Sequence, residues 1–215
     1  MDVSRGLAGL LLLVATTYAQ AADPVAVYTK GGAQPAAMAC ITCHGAEGEG
    51  IDAAGFPRLS GLSADYMMKQ LIDFASGSRA NPIMQPIATA LSAEEAAAVS
   101  TMLAARSWPE VERVGRAAAA TGIGETLALR GAWQRDIPEC VACHGPGGMG
   151  VGNGFPPLAG QSTQYLSAQL NAWRQGTRKN DPNDLMGHIA RKLTDAEIAA
   201  VSQYFAGLTG TGAGQ

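Results

Sequence analysis

Two pentapeptides carry most of the chemistry in this sequence: Cys40-Ile41-Thr42-Cys43-His44 and Cys140-Val141-Ala142-Cys143-His144. Both read C-x-x-C-H. Two thiols three residues apart on one helical turn can each add to a vinyl group of haem. The histidine that follows presents its imidazole to the iron from the same turn, and a nitrogen donor is what an axial position takes. The sequence contains 4 cysteines, all of them in these pairs. Two disulfides, or zinc held by paired C-x-x-C, are the competing chemistries. Neither asks for a histidine directly after each pair. The pattern predicts two covalent haem c groups, with thioethers at Cys40, Cys43, Cys140 and Cys143 and axial ligation by His44 and His144.

Each iron has a second axial position, and the composition limits what fills it. Of 3 histidines, two are used, leaving His188. The first haem therefore cannot be bis-histidine from its own chain. Met84 and Met186 follow their haem histidines at closely matched spacing, each in a loop that carries proline or glycine. They are predicted as the sixth ligands. A packing role is the alternative for a lone methionine. Met67 and Met68 fall opposite Leu166 and Ser167, Met38 lies too close to the first motif, and Met102 reads as core. Met149 has no counterpart. His188 falls opposite Pro86 and reads as a surface histidine, with competition for Met186 as the alternative role.

The elements that position these residues occur twice. Lys30-Gly31 matches Arg130-Gly131, and Phe56-Pro57-Arg58-Leu59 matches Phe155-Pro156-Pro157-Leu158. Ser63, Tyr66, Gln70, Phe74 and Arg79 match Ser162, Tyr165, Gln169, Trp173 and Arg178, and Ser92 to Glu95 matches Thr194 to Glu197. An offset near a hundred residues makes this a tandem duplication. Each copy reads as three main helices. The first runs into the haem motif. The second starts at a serine N-cap and lines up Tyr, Gln and an aromatic on one face. The third opens with a capping box. No alternating strand pattern is present, so the predicted fold is all-α. The Pro57 and Pro156 carbonyls are candidates to fix the histidines. Tyr66, Tyr165, Trp173, Arg79 and Arg178 are candidates to contact the haem or its propionates, or to brace the methionine segments.

The predicted organisation is a signal peptide over 1–21, a first domain over 22–108, a linker over 109–121 and a second domain over 122–215. Arg5, the apolar run from Leu7 to Ala19 and Ala19-Gln20-Ala21 support export. The apolar run is shorter than the roughly 20 residues that span a bilayer. An uncleaved anchor is the alternative. The net charge of −3 and the lack of a basic stripe argue against nucleic acid.

With these motifs in place, the sequence resembles the dihaem two-domain cytochromes c, the cytochrome c-four group, across essentially its whole exported part. The resemblance implies two class I cytochrome folds about a pseudo-twofold axis, with their haems facing one another. It further implies a periplasmic electron carrier rather than an enzyme. Its partners would be redox proteins: a terminal oxidase, a dehydrogenase or a quinol-oxidising complex. A loose membrane association is compatible with this. Paired domains of this kind also occur in flavin-linked dehydrogenases, so a cytochrome subunit of a flavin- or quinone-linked dehydrogenase complex is the alternative function. A dihaem peroxidase is the less favoured alternative, because both repeats keep their methionine.

Overall fold

The computed structural model describes residues 21–108 and 120–208. The predicted signal peptide, except Ala21, and all of the linker but its last two residues lie outside the described residues. Among the described residues the regular structure is helical, and β-pairing is confined to isolated bridges.

The first domain contains α1 (Pro24–Lys30), α2 (Ile41–His44), α3 (Ala64–Ser76), α4 (Met84–Ala90) and α5 (Ala93–Ala104). The second contains α6 (Ile123–Arg130), α7 (Cys140–His144), α8 (Thr163–Arg174), α9 (Leu185–Ala190) and α10 (Asp195–Gly207). The serine N-caps form as expected: Ser63 accepts from Tyr66 N–H and Ser162 from Tyr165 N–H. Both capping boxes close, Ser92 with Glu95 and Thr194 with Glu197.

Two local expectations change. The first helix of each repeat does not run into the haem motif. It stops at Gly31 or Gly131, and a loop intervenes. Gly31 has φ 96, and a Cβ there would lie 2.4 Å from the Ala37 carbonyl oxygen, so the chain must turn at a residue without a side chain. The methionine segments are also not open loops, since Met84 opens α4 and Met186 lies in α9. Asn81 causes the first of these turns. Its Oδ1 accepts from the N–H groups of Ile83 and Met84 at 3.0 and 2.8 Å and satisfies donors that a helix start leaves free.

The core of the first domain forms where α1 packs on α5, from Val27, Tyr28, Leu62, Met67, Val99 and Leu103. The second is larger, with Leu127, Ile137, Leu166, Ile198, Val201 and Phe205 around the α6–α10 crossing. Gly124 makes that crossing close. A Cβ there would sit 2.2 Å from the Ala200 carbonyl oxygen and 3.1 Å from Tyr204 Cβ. Gly124→Val forces the helices apart, and an over-packed core position typically costs about 1–3 kcal/mol. Chemical denaturation of the holoprotein will show a lowered midpoint.

Glu95 ties the start of α5 to the loop after α1. Its carboxylate accepts from Ser92 N–H at 2.8 Å and Ala33 N–H at 2.6 Å. These bonds, that from Ser92 first, hold its pKa below the ordinary 4.5. A depressed carboxylate contributes stability that is fully present above the unfolded value and is lost as pH falls through the folded one. Glu95→Gln will therefore flatten the loss of stability below about pH 4.5. Denaturant midpoints measured from pH 6 to pH 3 check this.

Candidate haem centres and the interface between them

α2 and α7 each consist of little more than the C-x-x-C-H turn, and both end in a buried histidine. His44 Nδ1 lies 2.9 Å from the Pro57 carbonyl oxygen, and His144 Nδ1 lies 2.8 Å from that of Pro156. A carbonyl only accepts, so each Nδ1 carries the proton and each Nε2 keeps its lone pair free. Burial lowers both histidine pKa values and favours this neutral form. Phe56 and Phe155 stand edge-on to the two rings, with centroids 6.3 and 6.1 Å away. The glycine-rich loops are pinned by equivalent bonds: Gly50 N–H to His44 O at 2.8 Å, and Gly150 N–H to His144 O at 2.7 Å. Both proline carbonyls thus take the role expected of them.

None of the 4 cysteines is joined to another by a disulfide, so all four sulfurs are left for haem. Tyr28 donates its hydroxyl to the Gly45 carbonyl at 2.5 Å, which fixes the residue after His44. Met84 and Met186 are half-buried, on short helices that pack against α3 and α8 respectively. His188 is exposed on α9.

The two domains meet along a line of polar residues. Residues 78–80 and 177–179 run antiparallel, with Ala80 N–H to Thr177 O and Lys179 N–H to Ser78 O, both at 3.2 Å. Arg79 and Arg178 form the bridge pair at its centre. Both are 5% exposed. Arg79 donates to Gln70 Oε1 at 2.9 Å and, across the interface, to Tyr165 Oη and Gln169 Oε1, both at 2.7 Å. Arg178 donates to Asn180 Oδ1, to Gln169 Oε1 and, across the interface, to Gln70 Oε1 at 3.2 Å. Their guanidinium groups stack over Phe74 and Trp173, at 4.4 and 3.8 Å from the ring centroids. The arginines therefore hold the two domains together.

These direct partners are neutral amides, phenols and aromatic rings. Two buried positive charges so placed suit anionic groups such as the propionates of haem. Burial alone would raise the Tyr165 phenol, but Arg79 and Arg178 outweigh it and hold it below its ordinary pKa. Trp173 Nε1 is a buried donor with no protein acceptor, which fits the same anionic group. The donor set and the interface both fit haem.

The N-caps of α3 and α8 also reach across. Ser63 donates to Asn153 Oδ1 at 2.8 Å, and Ser162 to Asp52 Oδ1 at 2.6 Å. The sequence pattern did not single out Asn153, Asp52, Trp108 or Gln161. The signal available for Gln161 was a departure from the repeat, because its counterpart is Leu62.

The fold and both centres define a two-domain haem protein of the c type. A family profile described as Cytochrome c matches residues 29–105 and again 132–209. The chain belongs to the cytochrome c family. It is 66% identical over 200 residues, 93% of both chains, to the "Thiosulfate dehydrogenase electron acceptor" of Stutzerimonas stutzeri (strain A1501). It is 37% identical over 202 residues to "Cytochrome c4" of Pseudomonas aeruginosa, covering 93% of this chain and 96% of the relative. Among solved structures it is similar to reduced recombinant cytochrome c4 from Pseudomonas stutzeri, with a TM-score of 0.69, 32% identity, and 79% and 93% coverage. It is also similar to the "Thiosulfate dehydrogenase (TsdBA)" of Marichromatium purpuratum, with a TM-score of 0.77 and 41% identity over 86% of this chain. It spans only 39% of that longer chain. The protein carries two covalently bound haem c groups and transfers electrons between redox partners.

Proposed function

We propose that this cytochrome is the electron acceptor of a thiosulfate-oxidising dehydrogenase, working in the periplasm after export by its N-terminal segment. The observation that carries this is the 66% identity, over 93% of both chains, to a relative of that name. Joining two thiosulfates through a sulfur–sulfur bond releases two electrons, and two one-electron centres in one chain can accept both. A downstream oxidase would take them on. Purified oxidised protein, mixed with thiosulfate and the thiosulfate dehydrogenase of the source organism, will be reduced at both haems. Reduction no faster than that of an unrelated c-type cytochrome would reject the pairing.

In this reading Cys40, Cys43, Cys140 and Cys143 hold the haems, and His44, Met84, His144 and Met186 hold the irons. The bound haem supplies a one-electron couple. The chain's residues keep the ligands fixed, so that little rearranges with each transfer. Methionine sulfur is a soft donor and favours the ferrous state, which raises the potential. The reduced protein is expected to leave carbon monoxide unbound. Met84→Ala or Met186→Ala will open one iron each, giving carbon monoxide binding at one haem of the two and a lower potential there. Absorption spectra with and without the gas read this directly. Binding by the unsubstituted protein would show a labile sixth position.

A further inference from the structure

Gln161 is a buried amide, 4% exposed, at a position where the first repeat has the core residue Leu62. Its Oε1 accepts from the backbone N–H of Arg58 at 3.0 Å, and its Nε2 donates to the Arg58 carbonyl at 3.1 Å. One side chain of the second domain thus pairs with the first domain's backbone as a strand would. Ser162 N–H donates to the same Oε1 at 2.9 Å and fixes the amide's orientation. Trp108 adds a neighbouring link, donating Nε1 to the Ala159 carbonyl at 2.8 Å.

The Arg58 N–H belongs to the same peptide unit as the Pro57 carbonyl, and that carbonyl accepts from His44 Nδ1. A peptide whose N–H donates has a more negative oxygen, because hydrogen bonds in a chain polarise one another. The relay therefore runs from Gln161 through one peptide to His44. The second domain has no equivalent. Arg58 is matched by Pro157, which has no N–H, and Gln161 by Leu62, which has no acceptor.

We infer that Gln161 is a positioning residue that polarises the Pro57–Arg58 peptide, so that domain docking makes His44 a stronger donor to its iron than His144. A stronger bond from Nδ1–H raises the basicity of the ligating imidazole. That favours ferric iron and lowers the first haem's potential selectively. The inference rests on His44 as an axial ligand. Loss of that ligation would change the absorption spectrum of the unsubstituted protein, whereas failure of the inference would leave the spectrum intact.

The test is spectroelectrochemistry of the full-length dihaem protein, with each potential assigned to its domain through the shifted haem methyl resonances. Gln161→Met keeps the volume and removes the acceptor. The expected result is a positive shift at the first haem that exceeds any shift at the second. Arg58→Pro is compared with Arg58→Gln. Both remove the charge, and only proline removes the N–H. The chain already carries two consecutive prolines at the matching site. The first-haem potential is expected to be higher in Arg58→Pro than in Arg58→Gln. Gln161→Met with two haems and an unmoved first potential, or with both potentials moving equally, would overturn the inference. Equal first-haem potentials in the two Arg58 variants would overturn it as well, and that comparison decides the matter if Gln161→Met does not retain its haems.

Discussion

An imidazole that is to hold a metal through one nitrogen must have the other nitrogen fixed, or the ring rotates and its tautomer drifts. The rest of this structure depends on that constraint. In both domains the partner is a proline carbonyl, 2.9 Å away in one and 2.8 Å in the other. The proline must itself be held at a set distance from a helix turn thirteen or so residues earlier in the chain. The glycine-rich loops do this by folding back on themselves. Leu59 and Leu158 donate to the Gly48 and Gly148 carbonyls at 2.7 and 2.8 Å, which closes each loop beneath its histidine. The crossing helices then clamp the far side of the motif. Tyr28 of α1 reaches the Gly45 carbonyl in the first domain, and in the second the Cys140 side chain packs against α6 with Sγ 3.7 Å from the Leu127 carbonyl oxygen.

The interface has a different logic from the cores. It is polar, and its centre is a pair of buried guanidinium groups stacked on aromatic rings and surrounded by amides and phenols. Such an arrangement is costly without anions, since burying a charge disfavours it. Burial, followed by the neighbouring Arg79, lowers the Arg178 pKa, which is the physical sign of that cost. Two carboxylate-bearing cofactors near the interface would relieve it and would link haem incorporation to domain docking. The duplication explains why the partners come in matched sets: Gln70 with Gln169, Tyr66 with Tyr165, and Ser63 with Ser162. A pseudo-twofold interface lets one set of residues serve twice.

Much of the site was legible in the sequence because covalent haem attachment admits few residue types. Cysteine, cysteine and histidine at fixed spacing leave little room for another reading, and repetition identified the methionines as candidates. Capping boxes and serine N-caps were equally legible, since they depend on residues three positions apart. The first helices were read too long, because a glycine turn depends on a carbonyl that returns from six residues later. Arg79 and Arg178 were recognised as a pair, but their bonds across the interface depend on how two separate chains of helices dock.

The sequence by itself determined the cofactor chemistry, the helical class and the duplication, because each of these is written in local spacing or in self-similarity. Only the tertiary structure decided what the two halves do to one another. Gln161 against Leu62, and Arg58 against Pro157, are two unremarkable departures from a repeat when read along the chain. Folding brings the unmatched amide to the unmatched N–H, and only then do the departures become one hydrogen-bonded relay ending at a haem histidine. The physical reason is that a contact between residues about a hundred positions apart depends on the orientation of whole domains, which no short-range pattern encodes.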